Sequence, residues 1–118
     1  MFAGFALFFL AMSGQQAHEV RVLFANDAWY LENPDPERAF IGEVRGTPLL
    51  RYRDLRPRHF YLVTADGSWD IFTAGHDKVI KEFEGARVRI VGKTLQRELE
   101  GIERRELWPG TLQILNDR

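Results

Sequence analysis

The stretch from Gly75 to Leu95 most constrains the fold, because along it the hydrophobic period changes from that of a helix to that of a strand. Its first part places three apolar residues on one stripe at helical spacing: Val79, Ile80 and Phe83. Asp77 is predicted to cap the helix N-terminus, and Gly85 is predicted to end it because glycine tolerates a positive φ. We therefore expect a helix of about two turns.

After the glycine the hydrophobic period becomes two, which is typical of a strand with one buried face. The residues expected on the buried face are Val88, Ile90 and Gly92. Those expected on the opposite face are Arg87, Arg89 and Val91. The sequence thus predicts a short helix followed directly by a half-buried strand.

Length and composition limit the classes of function. A chain of 118 residues builds one domain with a single core. The formal net charge of -1 and the pI near 6.3 argue against strong nonspecific attraction to nucleic acid or to an anionic membrane. The absence of cysteine excludes a disulfide, a thiolate metal site and a cysteine nucleophile.

Histidine and aspartate positions predict neither a metal site nor catalysis. The three histidines, His18, His59 and His76, are scattered without a spacing that would place two of them together as ligands. Asp66 is explained by a turn and Asp77 by the helix cap. Ser68 lies near Asp66 and His76 but lacks a nucleophile elbow. We expect a noncatalytic protein with no cofactor and no metal.

The N-terminal segment 1–17 is predicted to be an export signal. It has no charged side chain, and its apolar run from Phe2 to Met12 is shorter than the ~20 residues of a membrane span. It also lacks Lys and Arg, so the alternatives are a start further upstream or a retained anchor. With cleavage the chain would have no stable membrane span and would be periplasmic or secreted.

Residues 18–38 are predicted to form an extension lying across the rest of the domain. His18 to Phe24 alternates and could be a strand, with Val20, Val22 and Phe24 on one face. Trp29, Tyr30 and Leu31 form an apolar cluster, after which two prolines prevent regular structure.

Residues 39–118 are predicted to form a small barrel. Ala39 to Gly46 is its first strand, with Phe40, Gly42 and Val44 pointing inward and a glycine where the strand coils sharply. A hairpin turning at Asp66-Gly67 supplies the next two strands. Beyond the helix, the fourth strand returns as a fifth strand, which is broken or bulged at Pro109-Gly110.

A helix between the third and fourth of five strands is the order found in an oligonucleotide/oligosaccharide-binding (OB) barrel. The predicted fold class is therefore mainly β, with a five-stranded OB-fold-like Greek-key barrel and a short helix between strands 3 and 4. A β-sandwich would show more strands and no helix at this point.

Three segments, FIGEV (40–44), FYLVT (60–64) and FEGARVRIVGK (83–93), resemble bacterial exported OB-fold domains. The same strand order behind an apolar N-terminus also resembles the periplasmic haem chaperone of cytochrome c maturation, which holds haem on a histidine followed by a tyrosine near its C-terminal end. Here no histidine follows His76. The resemblance therefore implies the barrel and an exported location, without haem chemistry.

The richest candidate ligand site is the arginine loop, Thr47 to Arg58, with aromatic residues near it. Its candidate residues are Arg51, Tyr52, Arg53, Arg56, Arg58, His59, Tyr61 and Trp69. Guanidinium groups and aromatic faces suit anionic sugars, phosphates and stacked bases. The competing interpretation is a solvated loop with its aromatics packed on the barrel. Arg104 and Arg105, between two glutamates, are predicted to be an exposed charged strand edge.

These observations lead to three hypotheses. The first is a noncatalytic exported binding module for a small anionic ligand, a glycan or a protein partner. The second is a single-stranded nucleic-acid-binding protein, against which the net charge and the predicted export both count. The third is a structural accessory subunit.

Overall fold

The computed structural model describes residues 19–48 and 58–115. The elements, in chain order, are β1 (Val20–Val22), α1 (Ala28–Leu31), β2 (Arg38–Gly46), β3 (Phe60–Thr64), β4 (Gly67–Ile71), α2 (Asp77–Glu82), β5 (Arg87–Leu99) and β6 (Ile102–Ile114). Strands β2 to β6 close into a five-stranded barrel in the order β2-β3-β4-β6-β5, with β5 pairing back to β2. The pair β4–β6 is parallel and the other barrel pairs are antiparallel. The mainly β, OB-fold-like barrel predicted from the sequence is confirmed.

The barrel interior is filled by side chains that alternate along each strand. Its buried residues include Val44, Leu62, Trp69, Ile71, Val88, Ile90, Leu107 and Leu112. Arg87 and Arg89 lie on the exposed face of β5, so the predicted facing of that strand is confirmed. Phe40 is partly buried and packs against the same core. Period-two alternation is what closes this sheet around an apolar centre.

Helix α2 packs on the core through the predicted stripe. Ile80 is fully buried, and Val79 and Phe83 are partly buried against the core. Gly85 adopts φ +86°, as a helix stop requires. The prediction that Asp77 caps the helix is wrong, because His76 occupies the N-cap and Asp77 is the first helical residue. In that position the Asp77 carboxylate accepts a hydrogen bond from Thr73 Oγ1 at 3.1 Å.

The β3–β4 hairpin is confirmed, but its turn lies one residue earlier than predicted. Thr64 pairs with Gly67, so the two turn residues are Ala65 and Asp66. Only Gly67 among these has a positive φ, at +122°. The Thr64 hydroxyl accepts from the Asp66 amide at 3.1 Å and donates to the Gly67 carbonyl at 2.8 Å. These two hydrogen bonds hold the turn at that position.

The predicted break at Pro109-Gly110 is a bulge within one long strand. Val91 pairs with Thr111 while Gly92 pairs with Pro109, which leaves Gly110 as the extra residue of β6. The carbonyl groups exposed there are bonded by the chain before the barrel. The Leu23 amide donates to the Gly110 carbonyl at 2.8 Å, and the Phe24 amide donates to that of Pro109 at 3.2 Å.

Residues 19–37, here termed the N-terminal strap, lie beside β6 and contact β5 through Lys93. β1 pairs with β6 at Thr111 to Gln113. The predicted grouping of Val20, Val22 and Phe24 on one face is wrong, since both valines are exposed while Leu23 and Phe24 are buried. The strand ends at Val22, so the alternation does not continue to Phe24.

Helix α1 and one lysine anchor the N-terminal strap. α1 carries Tyr30 into a fully buried position, and Lys93 Nζ donates to the carbonyl oxygens of Tyr30 at 2.9 Å and Asn33 at 2.7 Å. The predicted export segment 1–17 lies outside the described residues. Within those residues, no helix has both the length and the apolar character needed to cross a bilayer.

Candidate functional site

Of the eight predicted ligand residues, four lie within the described part of the chain. Arg51, Tyr52, Arg53 and Arg56 lie outside the described residues, so their placement stays a prediction. Four others are described: Arg58, His59, Tyr61 and Trp69. These four do not converge on one surface.

Arg58 is committed to contacts within the fold. Its guanidinium forms two hydrogen bonds with Glu84, at 2.9 Å and 2.6 Å, and its Nε donates to the Thr47 carbonyl at 2.7 Å. The guanidinium carbon also lies 5.3 Å from the centre of the Phe60 ring. Because its donors are used in this way, Arg58 ties the end of the arginine loop to the segment after α2.

The remaining three residues point in different directions. Tyr61 pairs with Asp70 across the hairpin, while Leu62 pairs with Trp69, so Tyr61 and Trp69 lie on opposite faces of the sheet. Trp69 is turned into the barrel and is only 5% exposed. His59 is exposed, and its backbone bonds to Thr47 at both its amide and its carbonyl.

The pair between Arg58 and Glu84 makes stability depend on pH. Hydrogen bonding from Arg58 holds the pKa of Glu84 below its usual value of 4.5. The stabilisation is therefore complete above about pH 4.5 and is lost as the pH falls through the lowered value. We expect Glu84→Gln to lower the free energy of unfolding by up to about 1 kcal/mol at neutral pH, and by less at about pH 3.

Urea denaturation of both proteins at the two pH values measures this difference. Glu82→Gln is the matched control, because Glu82 makes a single 3.4 Å contact with Arg21 and its side chain is 60% exposed. An equal loss for Glu84→Gln at both pH values would contradict the assigned role of the pair.

A cleft opens between the start of β2, the β3–β4 turn and the β5–β6 hairpin. We term it the arginine–aromatic cleft. The side chains that define it are Arg38, Phe40, Asp66, Trp69, Gln96 and Arg105, and its volume is about 370 Å³. A concave site of this size with convergent polar groups is typical of a small-ligand site.

Arg105 is the central polar group of the cleft. Its guanidinium carbon lies 3.9 Å from the centre of the Trp69 ring, which is a close cation–π contact. A β-carbon added to Gly67 would lie 3.1 Å from Arg105 Nη1, so the hairpin backbone also bounds the guanidinium. Among the described residues, Arg105 Nε is the one buried side-chain nitrogen or oxygen without a hydrogen-bond partner.

Arg38 and Phe40 repeat this arrangement on the neighbouring wall. The Phe40 and Trp69 rings lie 5.4 Å apart, and the Arg38 guanidinium carbon lies 5.0 Å from the centre of the Phe40 ring. Each ring thus has a guanidinium group over it. The two guanidinium groups are linked through the two rings, by distances of 5.0 Å, 5.4 Å and 3.9 Å in turn.

The interpretation of Arg104 and Arg105 as an exposed edge needs correction at Arg105. Strand β4 pairs with β6 at Asp70–Glu106 and Ile71–Leu107, so the paired part of β6 begins directly after Arg105. Arg105 has the same parity along the strand as buried Leu107 and therefore faces the Trp69 side. Arg104 is exposed, with a 3.7 Å contact to Asp70. The alternation toward Leu107 was the signal that could have identified Arg105.

A wider groove beside β2 has a volume of about 610 Å³ and carries charges of both signs, Glu43 and Arg87, next to Ile41 and Val63. It contains no buried unpartnered polar atom among the described residues. No set of three histidine, aspartate or glutamate side chains in the described part of the chain could hold a metal ion. The arginine–aromatic cleft is consequently the better candidate.

No protein-family model matches this chain, and a search of curated proteins finds no significant match.

Proposed function

We propose that this chain is a noncatalytic exported OB-fold module that binds a small anionic ligand in the arginine–aromatic cleft. The observation that carries the proposal is the pair of guanidinium groups that line the cleft, Arg38 over the Phe40 ring and Arg105 over the Trp69 ring. An oxyanion is the strongest acceptor for a guanidinium group. The uncharged apolar segment 1–17 supports export to the periplasm or the medium.

The cleft favours a small anion over a nucleic acid. Single-strand binders stack bases on open aromatic faces. Here Arg105 covers Trp69 and Arg38 lies over Phe40, so the cleft offers its ligand guanidinium groups instead of ring faces. The net charge of -1 also gives little long-range attraction for a polyanion. Binding of a glycan or a protein through Arg51, Arg53 and Arg56 stays a separate prediction.

Replacing Arg105 with glutamine is expected to weaken anion binding at least about tenfold, because a bidentate charged donor is lost. We would titrate the ¹⁵N-labelled protein with glucuronate, inorganic phosphate and sulfate, following the Gly67 amide and the Trp69 indole resonances. Glutamine is shorter than arginine but stays polar, and the β5–β6 hairpin should still fold because its pairing is made by the backbone.

Arg104→Gln is the matched control, because Arg104 is adjacent in sequence but faces outward, with its contact to Asp70. The control should retain the affinity of the native protein. Equal affinity in Arg105→Gln and the native protein, or equal losses in the two variants, would refute the cleft as the binding site.

A further inference from the structure

We infer that the ligand of the arginine–aromatic cleft is a hydroxylated monocarboxylate about the size of one sugar ring, which is the chemical class of the sugar acids. This inference rests on the proposed function and narrows it to one class of anion. Five properties of the cleft support it: the direction from which Arg105 can be approached, the net charge, the secondary-structure elements that line it, the polar side chains that suit hydroxyl groups, and the volume.

The approach to Arg105 favours a planar oxyanion. One face of the guanidinium is covered by the Trp69 ring at 3.9 Å, and its Nη1 is bounded by the Gly67 backbone. The N–H groups of a guanidinium point outward in its own plane, so a ligand in the cleft would bond its edge and not the face covered by Trp69. A carboxylate fits such an edge with both of its oxygens in one plane.

The charge of the cleft matches a monoanion. Its lining contains two arginines, Arg38 and Arg105, and one aspartate, Asp66, which leaves one net positive charge. A carboxylate with a single negative charge balances it. A phosphate monoester carries about -1.5 to -2 at neutral pH and would place excess negative charge beside Asp66.

The secondary-structure elements that supply the lining residues also argue against phosphate as the ligand. All lining residues come from strands or from the β3–β4 turn, and none comes from a helix N-terminus. Helix N-termini supply backbone N–H groups and a favourable dipole at many phosphate sites. In this cleft the positive charge comes from side chains alone.

Two further polar side chains suit hydroxyl groups. Asp66 can accept hydrogen bonds from hydroxyls, and Gln96 can both donate and accept. The Thr64 hydroxyl is already used within the turn, where it holds the Asp66 backbone. A volume of about 370 Å³ lies at the small end of ligand pockets, which limits the ligand to about one ring.

The test compares four probes on the native protein: sodium glucuronate, glucose, propionate and inorganic phosphate. Glucuronate should bind at least about tenfold more tightly than phosphate or propionate, because only glucuronate combines one carboxylate with hydroxyl groups. Glucose should not bind measurably. Isothermal calorimetry supported by the Trp69 indole resonance gives each affinity.

Asp66→Asn tests the contacts with the ligand hydroxyls separately from the contacts with its charge. The readout is the ratio of glucuronate affinity to phosphate affinity. Asparagine suits a turn as aspartate does, so the hairpin should fold. Removing this charge should strengthen phosphate binding, because repulsion is lost, and should not strengthen glucuronate binding to the same extent, because its hydroxyls lose a charged acceptor for a neutral amide oxygen. The ratio of the two affinities should fall about tenfold. Gln113→Asn, a polar substitution outside the cleft lining, should leave the ratio unchanged.

The possible failures are distinguishable. If the native protein binds phosphate more tightly than glucuronate, or if Asp66→Asn changes both affinities equally, the sugar-acid class is wrong while the anion site stands. If Arg105→Gln binds each probe as tightly as the native protein, the proposed function is wrong as well. Binding of no probe at millimolar concentration would overturn both.

Discussion

Gly42→Ala is expected to lower the free energy of unfolding by about 3 kcal/mol, because the barrel has no room for a methyl group at this position. A β-carbon there would lie 2.2 Å from the Val63 carbonyl oxygen and 2.8 Å from its carbon. Both atoms belong to the backbone of β3, which is hydrogen-bonded to its neighbours and cannot move alone. The expected loss is therefore steric, and the two strands would have to separate.

Gly46→Ala is the matched comparison on the same strand. Its β-carbon would meet side-chain atoms, the Arg58 guanidinium at 2.7 Å and the Phe60 ring at 2.8 Å, which give way more than a paired backbone although Arg58 is bonded and Phe60 is buried. We expect a loss of only about 1 kcal/mol. Urea denaturation followed by far-UV circular dichroism measures both variants. Equal midpoints for the two variants would show that close backbone approach at Gly42 does not limit the barrel.

The parts of the fold that could be predicted from the sequence are those with a local pattern, and the strand around Gly42 is one of them. The alternation around Gly42, the stripe of α2 and the Asp66-Gly67 dipeptide are local patterns, and each predicted its element correctly, although the turn lies one residue earlier than predicted. The bulge at Gly110 was predicted as an irregularity. Its hydrogen bonds to the N-terminal strap were not predictable, because they join segments far apart in the chain and have no local signal.

The site was harder to predict, because it depends on closure of the barrel. Proximity in sequence grouped Arg58 with the other arginines of its loop. In the structure Arg58 bonds Glu84 and Thr47 instead of facing an open cleft. Arg105 reaches Trp69 only because β6 lies parallel to β4. A charged residue between glutamates indicates an exposed edge unless that pairing is known.

Lys93→Met is expected to lower the free energy of unfolding by about 2 kcal/mol and to loosen the N-terminal strap. Lys93 is only 7% exposed, and its ammonium bonds the carbonyl oxygens of Tyr30 and Asn33. It also lies 4.7 Å from the centre of the Tyr30 ring. Methionine keeps most of the packing volume but leaves the buried Tyr30 carbonyl and the partly buried Asn33 carbonyl without their charged donor.

Hydrogen exchange locates this effect. The Leu23 and Ala25 amides, which bond the Gly110 carbonyl, should exchange faster in Lys93→Met, while amides in the β3–β4 hairpin change less. Lys78→Met is the control, because Lys78 lies on the exposed face of α2, and its stability should stay within about 0.5 kcal/mol of the native protein. Unchanged exchange at Leu23 and Ala25 would show that Lys93 does not hold the strap.

Lys93→Met should also weaken ligand binding in the arginine–aromatic cleft. The Tyr30 hydroxyl donates a hydrogen bond to Glu37 Oε2 at 2.7 Å. Burial, together with this hydrogen bond, raises the pKa of Tyr30. Glu37 directly precedes Arg38, whose backbone pairs with Gly92 next to Lys93. Loosening the strap therefore frees the residue before Arg38, and we expect glucuronate affinity to fall by about two- to fivefold. Because Arg105 and Trp69 are held by β4 and β6, the loss should be smaller than in Arg105→Gln.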